Sequence, residues 1–455
     1  MRICLELLCA ELNFLFFFSR KVDWRMLPLL GVLNSLSLID RSNLGLARAA
    51  GMDHDLHLSK GARYSIISCI FFIPQLPSNL FLRKIGAVHY ISALVISWGA
   101  VQLAMGFVPS WGYLALCRTL LGAFEAGFFP AMVFIITTWY TRHEVQTRLA
   151  AFYIVGICVG GFSAIFAYIL TLLGGRLGIS GWAWIFIIEG VITIVFGIAA
   201  WFYLPSFPDQ NTFLTPRETA VILERVEQDR GDSVPDILRI GKIFGHLVDW
   251  KVWAIGLMYM CATMPAYAIS MFVTIILRGM GWSVSASLLL SAPPYIFAAL
   301  SIMAFAWISD KYRLRAASIA IQTVITIVGL CLTGFASNQN WRYVGIFLSN
   351  AGSGGCIPGI LAYSANNVVS HSKRAVTTAI TVSFGGMGGI MASLIFRQQD
   401  SPRYLPGIYA TLGCQVLLLL LLGLTTLSYW TKNHALRSGA AKEPLEGQAG
   451  FFYTL

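Results

Sequence analysis

Four charged side chains interrupt apolar stretches of this 455-residue sequence: Asp40, Arg41, Arg118 and Glu125. Arg118 and Glu125 are seven positions apart, so on one helix they would point the same way, about 10 Å apart. Arginine is a permanent, forked donor that suits a carboxylate. A buried carboxylate beside arginines can take up and release a proton. These residue types therefore predict that Arg41 and Arg118 bind an anion and that Asp40 and Glu125 bind a proton.

Two plainer interpretations of these charges stay open. The four side chains would also suit a static network that stabilises helix packing. Asp40 and Arg41 would also suit a simple ion pair with each other near the mouth of the protein. A charge inside a membrane costs about 2.5–3.5 kcal/mol on insertion scales, and four of them on two apolar segments favour a functional role.

The composition requires lipid as the solvent for most of the surface. Apolar residues make up 57% of the chain and charged residues only 12%, about half the usual share of a soluble domain. Apolar runs of about 20 residues predict membrane-spanning helices. Twelve such runs fall at 26–47, 62–82, 87–107, 112–140, 147–173, 182–204, 251–277, 284–309, 315–336, 341–367, 374–397 and 405–431.

The basic residues predict the orientation of the chain in the bilayer. The formal net charge is +11, and most Lys and Arg fall between spans on one side, which the positive-inside rule assigns to the cytoplasm. Both termini are then cytoplasmic. This topological role accounts for the basic charge without a nucleic-acid partner.

A polar interruption over 205–250 divides the twelve spans into six and six. The expected organisation is an all-α membrane protein with a cytoplasmic N-terminal segment (1–25), a six-helix bundle (26–204), a cytoplasmic linker (205–250), a second six-helix bundle (251–431) and a cytoplasmic tail (432–455). Within the linker, Thr215 to Glu218 predicts a capping box with proline at the first helical position. Similar segments at 127–133 and 355–361 indicate a repeat, with a site between the halves.

Other polar and small residues carry weaker predictions. Asp310 and Arg313 at the cytoplasmic end of the eighth span predict a gating loop, or simple anchoring by positive charge. Asn366 and Asn367 near the end of the tenth span are candidate substrate contacts, although these residue types fit capping of that helix better. Glycine clusters on the fifth and eleventh spans predict close packing, and a moving interface is the functional alternative.

The sequence does not predict catalysis, a metal site or a cofactor. It contains no HExxH motif, no nucleophile elbow and no phosphate-binding GxxxxGK[ST] motif. Its nine cysteines form neither a CxxC pair nor a Cys/His cluster. The proton is the expected coupling ion.

Three segments carry a resemblance to a known family: IDRSNLGLARAAGMDHDL (39–56), RTLLGAFEAGFFPAMVFIITTWY (118–140) and GWAWIFIIEG (181–190). They resemble the anion:cation symporters of the major facilitator superfamily, and most of all its fungal allantoate permease branch. The resemblance implies proton-coupled uptake of a small organic anion, such as allantoate, a vitamin or a sugar acid, by a monomer in the plasma membrane. The resemblance also implies that Arg41 and Arg118 bind the carboxylate and that Asp40 and Glu125 carry the proton.

Two departures from the family pattern keep other functions open. The segment from Phe72 to Asn79 is about four residues short, roughly one helical turn, and Gly385-Gly386 replaces the family's glycine-asparagine. The alternatives are an exporter of a small metabolite, and a non-transporting receptor-like or inactive relative in which the shortened second span has ended transport.

Overall fold

The computed structural model describes residues 2–72, 74, 87–140, 155–156, 159–160, 162–205, 207–208, 211, 213–231, 245–312, 314–368, 370–397, 400, 403–438, 445–447 and 451–454. Every regular element in these ranges is helical. The helices are α1 (Arg2–Ala47), α2 (Arg63–Ile70), α3 (Ala87–Met105), α4 (Trp111–Ala126), α5 (Phe128–Trp139), α6 (Phe162–Thr171), α7 (Gly181–Tyr203), α8 (Pro216–Gly231), α9 (Trp250–Gly279), α10 (Val284–Leu290), α11 (Ala292–Tyr312), α12 (Arg315–Phe335), α13 (Gln339–Asn367), α14 (His371–Ile395) and α15 (Leu405–Arg437).

The prediction of an all-helical membrane protein is confirmed. Among the described residues, nine helical stretches are long and apolar enough to cross a membrane. They coincide with the first, third and sixth to twelfth predicted spans. Shorter apolar helices occupy the positions of the second, fourth and fifth: α2, the pair α4 and α5, and α6.

Proline explains why two predicted spans are each divided into two helices. The fourth span breaks at Gly127, and Pro130 lies in the first turn of α5; the eighth breaks at Ser291, and Pro293 and Pro294 lie in the first turn of α11. Proline has no N–H and fits the first turn of a helix, where that donor has no partner. A new helix start therefore accommodates these residues better than a continuous helix.

Two boundaries differ from the sequence-based expectation. α1 begins at Arg2, so the helix of the first span extends back through the predicted N-terminal segment. α2 ends at Ile70 instead of continuing to residue 82. The shortened segment that the sequence places after Phe72 lies almost wholly outside the described residues.

The capping box at the start of α8 is confirmed. The Thr215 backbone N–H donates to Glu218 Oε2 at 2.7 Å, and the Glu218 N–H donates to Thr215 Oγ1 at 3.4 Å. Lys21 of α1 pairs with Glu218 at 3.3 Å. The linker helix is thereby tied to the first half of the chain.

The helices pack mainly within each half, and the halves meet along two pairs of helices. α3 lies along α7 in the first half, and α12 lies along α13 in the second. α1 contacts α9, and α2 contacts α14, across the boundary between halves. One hydrophobic core, which includes Ile67, Phe72, Met271, Phe272 and Phe396, continues across this boundary.

The C-terminal tail docks on the second half through paired backbone hydrogen bonds. Asn433 of α15 donates to the Tyr453 carbonyl at 2.9 Å and accepts from the Tyr453 N–H at 3.0 Å. Asn367 of α13 holds Thr454 in the same way, at 3.1 and 2.7 Å. The Tyr453 ring stacks on Tyr429, with centroids 4.4 Å apart.

Candidate functional site

An ion pair joins α1 and α4. Arg41 Nη2 is 2.7 Å from Glu125 Oε1, and Arg41 Nε donates to the same oxygen at 2.8 Å. Ser37, one helical turn before Arg41, also donates to Oε1. Arg41 Nη1 donates to the Tyr267 hydroxyl of α9 at 3.2 Å. Glu125 therefore finds its partner outside its own helix, as its spacing from Arg118 predicted.

Asp40 faces away from this ion pair, towards α3. Its side chain is completely buried and accepts from Gln102 Nε2 at 2.8 Å, from Trp98 Nε1, and from Asn43 Nδ2 at 3.3 Å. Consecutive residues on a helix point about 100° apart, so Asp40 and Arg41 meet different neighbours. The interpretation of Asp40 as a simple partner of Arg41 is wrong for the described contacts.

Arg118 is buried with most of its hydrogen-bonding capacity unused. Its side chain is 2% exposed, and Nη1 donates to the backbone carbonyl of Asp40 at 3.3 Å. Nε and Nη2 have no partner in the described part of the chain. An unpaired buried donor costs about 1–3 kcal/mol, and more when it is charged. The guanidinium therefore has donors for which the described chain supplies no acceptor.

A small cavity joins the two arginines. Arg41 and Arg118 line it together with Ser68, and the rest of its wall is apolar: Leu44, Ile67, Phe71 and Met271. It has room for about one water molecule. Because its wall draws on α1, α2 and α4 of one half and α9 of the other, a solute of several heavy atoms fits only if helices move apart.

Sequence reasoning missed the polar residues on the far side of Asp40. Glu189 of α7 is 1% exposed and accepts a hydrogen bond from Asn43 Nδ2. Trp98 and Gln102 of α3 complete the group. The available signal was Glu189 itself, a lone acid in an otherwise apolar span.

Asn366, a predicted substrate contact, lies apart from the cavity. Asn366 is exposed near the end of α13 and does not line it. Its neighbour Asn367 holds the C-terminal tail. Asp310 lies on α11, but its side chain and the whole of Arg313 lie outside the described residues, so the gating loop stays a prediction. Among the residues described, no cluster of His, Cys, Asp or Glu could hold a metal ion.

Comparison with known proteins identifies the family. The family model described as Major Facilitator Superfamily matches residues 30–393. The major facilitator-type transporter hxnP of Emericella nidulans is 31% identical over 414 residues, covering 87% of this chain and 82% of that protein. The MFS-type transporter efuF of Hormonema carpetanum is 30% identical over 421 residues, covering 90% and 85%.

Solved structures show the same fold at low sequence identity. A bacterial homologue of the human lysosomal transporter Spinster, in an inward-facing and occupied conformation, superposes with a TM-score of 0.66 at 17% identity, covering 88% of this chain and 95% of that one. The nucleoside transporter NupG superposes with a TM-score of 0.60 at 14% identity, covering 87% and 98%. Together with the family match and the buried charges between helices, these likenesses show that the chain belongs to the major facilitator superfamily and is a multi-pass membrane transporter, not an enzyme.

Proposed function

We propose that the protein is a proton-coupled symporter that carries a small organic anion into the cell by alternating access. The anion is a carboxylate of the allantoate, vitamin or sugar-acid class, which the resemblance to the anion:cation symporters favours. The proposal includes a monomer in the plasma membrane with both termini in the cytoplasm. The observation that carries it is the buried Arg118, which has two unused donors beside a cavity that Arg41 also lines.

The two arginines suit a carboxylate better than a neutral solute. Two N–H groups of one guanidinium match the two oxygens of a carboxylate in a fork. A carboxylate on Arg118 would satisfy Nε and Nη2 together and would neutralise a cation that has no ion pair among the described residues. A neutral sugar or amide offers weaker acceptors and leaves the charge in place.

The ion pair between Arg41 and Glu125 supplies a physical basis for coupling. While Glu125 is ionised, it occupies Arg41 through two hydrogen bonds. A proton on Glu125 removes its charge and releases Arg41 for the substrate carboxylate. One proton and one carboxylate then enter together, so the charge of the site is unchanged and neither is favoured alone. Asp40, on the adjacent position of α1, is the second candidate for the coupling proton.

Contacts between the halves support a rocking motion about this site. Tyr64 donates to the Met271 carbonyl at 3.2 Å, and Arg278 donates to the Ala49 carbonyl at 3.2 Å. Met271 and Arg278 lie towards the C-terminal end of α9, Ala49 lies just after the C-terminal end of α1, and Tyr64 lies at the start of α2. In the predicted orientation these ends face the outside, so this conformation is closed to the outside and must open there to admit substrate.

Proton-linked uptake tests the proposal. The purified protein would be reconstituted in liposomes, with an inward pH gradient, a panel of small carboxylates and internal pH as the readout. We expect internal acidification that requires one anion of the panel. If the well-folded protein causes no internal acidification with any carboxylate of the panel, organic-anion import is contradicted.

Glu125→Gln tests the coupling step within the same assay. The variant keeps the shape of the side chain but cannot exchange a proton, so we expect it to lose accumulation against a gradient while it retains exchange of labelled anion. Glu218→Gln on the linker helix is the matched control, since glutamine preserves the capping box. Full accumulation by Glu125→Gln would remove Glu125 as the proton carrier.

A further inference from the structure

Glu189 is a buried acid that the mechanism above does not use. It lies in the middle of α7, and its side chain is 1% exposed. Within the described chain, Asn43 Nδ2 donates to Glu189 Oε2, while Oε1 has no partner. No Lys, Arg or His among the described residues forms an ion pair with it. An ionised carboxylate in such surroundings is strongly disfavoured.

Asn43 bridges Glu189 to Asp40. The same Nδ2 atom also donates to Asp40 Oδ1 at 3.3 Å, so the two acids share one amide nitrogen. Asp40 has two further donors, Gln102 at 2.8 Å and Trp98. Two ionised carboxylates on one amide would repel each other, so at least one of the two acids carries a proton.

One added proton would allow the unpaired side-chain atoms of Glu189 and Asn43 to hydrogen-bond to each other. Glu189 Oε1 and Asn43 Oδ1 are both buried and both lack a partner in the described residues. Two acceptors cannot bond to each other. A proton on Oε1 turns it into an O–H donor for Asn43 Oδ1, while Asn43 Nδ2 already donates to Oε2. The carboxylic acid and the carboxamide would then form a ring of two hydrogen bonds, and both unpaired atoms would be satisfied.

We infer that Glu189 and Asn43 form a proton-binding site next to Asp40, separate from Glu125, and that its proton is exchanged during transport. The exchange rests on the function proposed above; the site itself does not. In the conformation described here, the proton is on Glu189.

Among the described residues, Asp40 is the titratable group that faces Glu189. α3 contributes Trp98 and Gln102, which are neutral. Three arginines lie on α1, directly after it or on α4, and none forms an ion pair with Glu189: Arg41 pairs with Glu125, Arg48 pairs with Asp53 at 3.3 Å, and Arg118 donates to the Asp40 carbonyl.

Infrared difference spectroscopy across a pH titration tests the site without any substrate. The C=O stretch of a protonated carboxylic acid is separate from the bands of ionised carboxylates. We expect such a band at neutral pH in the wild-type protein and in Glu125→Gln, and its loss in Glu189→Gln. Asn43→Ala should keep the band but shift its frequency, since the acid loses its amide partner. Absence of a band that responds to both substitutions would overturn the site.

Glu189→Gln should fold, because its amide can replace the acid in the ring with Asn43, so thermal unfolding in detergent should match the wild-type protein. The reversal potential of anion-coupled proton flux in liposomes then tests the exchange. We expect the wild type to move two protons per anion, one on Glu125 and one on Glu189, and Glu189→Gln to move only the proton on Glu125. An unchanged ratio would overturn the exchange. If the wild-type protein moves no carboxylate, the proposed function fails, while the infrared titration still decides the site.

Discussion

At the scale of single residues, Arg118 is a permanent charge that is buried with two unpaired donors in the described chain. An arginine in the membrane is stabilised by ion pairs, by backbone carbonyls or by water. Here one N–H reaches the Asp40 carbonyl at 3.3 Å, and the other nitrogen atoms at the fork have no partner in the described chain. A substrate carboxylate would therefore gain bonds that no protein group supplies.

We predict that Arg118→Lys greatly weakens substrate binding although it keeps the positive charge. Lysine is a point donor and cannot form the two parallel bonds of a guanidinium. Loss of one charge-assisted hydrogen bond costs about 1.5–3 kcal/mol, so the half-saturating concentration for uptake should rise about tenfold or more. Arg176→Lys, in the exposed turn before α7, is the control. An unchanged half-saturating concentration in Arg118→Lys would show that the fork does not hold the substrate.

The residue types of the site follow from the sequence, but their pairing does not. Buried Asp40, Arg41, Arg118 and Glu125 are visible as charges in apolar spans. The choice of Trp98 and Gln102 as partners of Asp40 depends on which face of α3 packs against α1. That face is set by the packing of the whole half, which no local pattern contains. Charge in an apolar span is the one rule that would also have found Glu189.

At the scale of elements, the C-terminal tail is held by the side chains of two asparagines, which hydrogen-bond to its backbone. Each pairs its carboxamide with both the N–H and the C=O of one tail residue, Asn433 with Tyr453 and Asn367 with Thr454. The sequence offered Asn366 and Asn367 as alternatives for substrate contact or helix capping. It could not reveal the tail as the partner, because the contact joins positions 87 residues apart.

We predict that Asn433→Ala lowers the thermal stability of the protein in detergent. It removes two hydrogen bonds, each of which contributes about 0.5–1.5 kcal/mol, and loosens the stack of Tyr453 on Tyr429. A chain that ends at residue 450 should lose at least as much. Asn433→Ala added to that shortened chain should have little further effect, because its partner is already gone. Additive losses would show that Asn433 stabilises α15 independently of the tail.

A cluster of charges at the start of α14 predicts a pH dependence of stability. Lys373 pairs with Asp249 at 2.9 Å and with Glu446 at 3.0 Å. Burial disfavours both charged forms, but these bonds outweigh it, so the pKa of Asp249 lies below its usual 3.8 and the pKa of Lys373 lies above its usual 10.5. The contribution of Asp249 is complete above its usual pKa and is lost as the pH falls. That of Lys373 is complete below its usual pKa and is lost as the pH rises.

Lys373→Met should therefore lower stability by about 1 kcal/mol at every pH from about 5 to about 9. The difference from the wild type should shrink below about pH 4, where Asp249 takes up a proton. Thermal unfolding in a series of buffers measures this, with Lys60→Met at an exposed position as the control. A difference that persists undiminished in acid would assign the loss to packing instead of charge.

At the scale of the whole molecule, the fold is well predicted because lipid imposes a simple rule. Every backbone group must be satisfied within its own segment, so long apolar runs become helices. The departures occur where proline or glycine interrupts a run, as at Pro130, Pro293 and Gly127. The way in which the halves meet was not predictable, because it depends on the fit of α1 against α9 and of α2 against α14.

The contact between α1 and α9 provides the last prediction, because it closes one end of the boundary between halves. Gly45 lies against the Met271 backbone so closely that an added Cβ would be 2.5 Å from the carbonyl oxygen. Gly45→Ala forces these helices apart at a cost of about 1–3 kcal/mol. Since the contact exists only while this end is closed, the variant should shift the protein towards the conformation that is open there.

Cysteine labelling with a membrane-impermeant thiol reagent measures the shift. Ser68 lines the cavity, so Ser68→Cys can be labelled in a background without other cysteines. When the reagent is added on the side of the membrane where α1 ends, labelling should be faster if Gly45→Ala is also present. Gly423→Ala is the matched control, because a Cβ there meets nothing within 4 Å and the substitution only favours the helix. If Gly45→Ala lowers thermal stability without changing the labelling rate, the contact packs the halves but does not act as a gate.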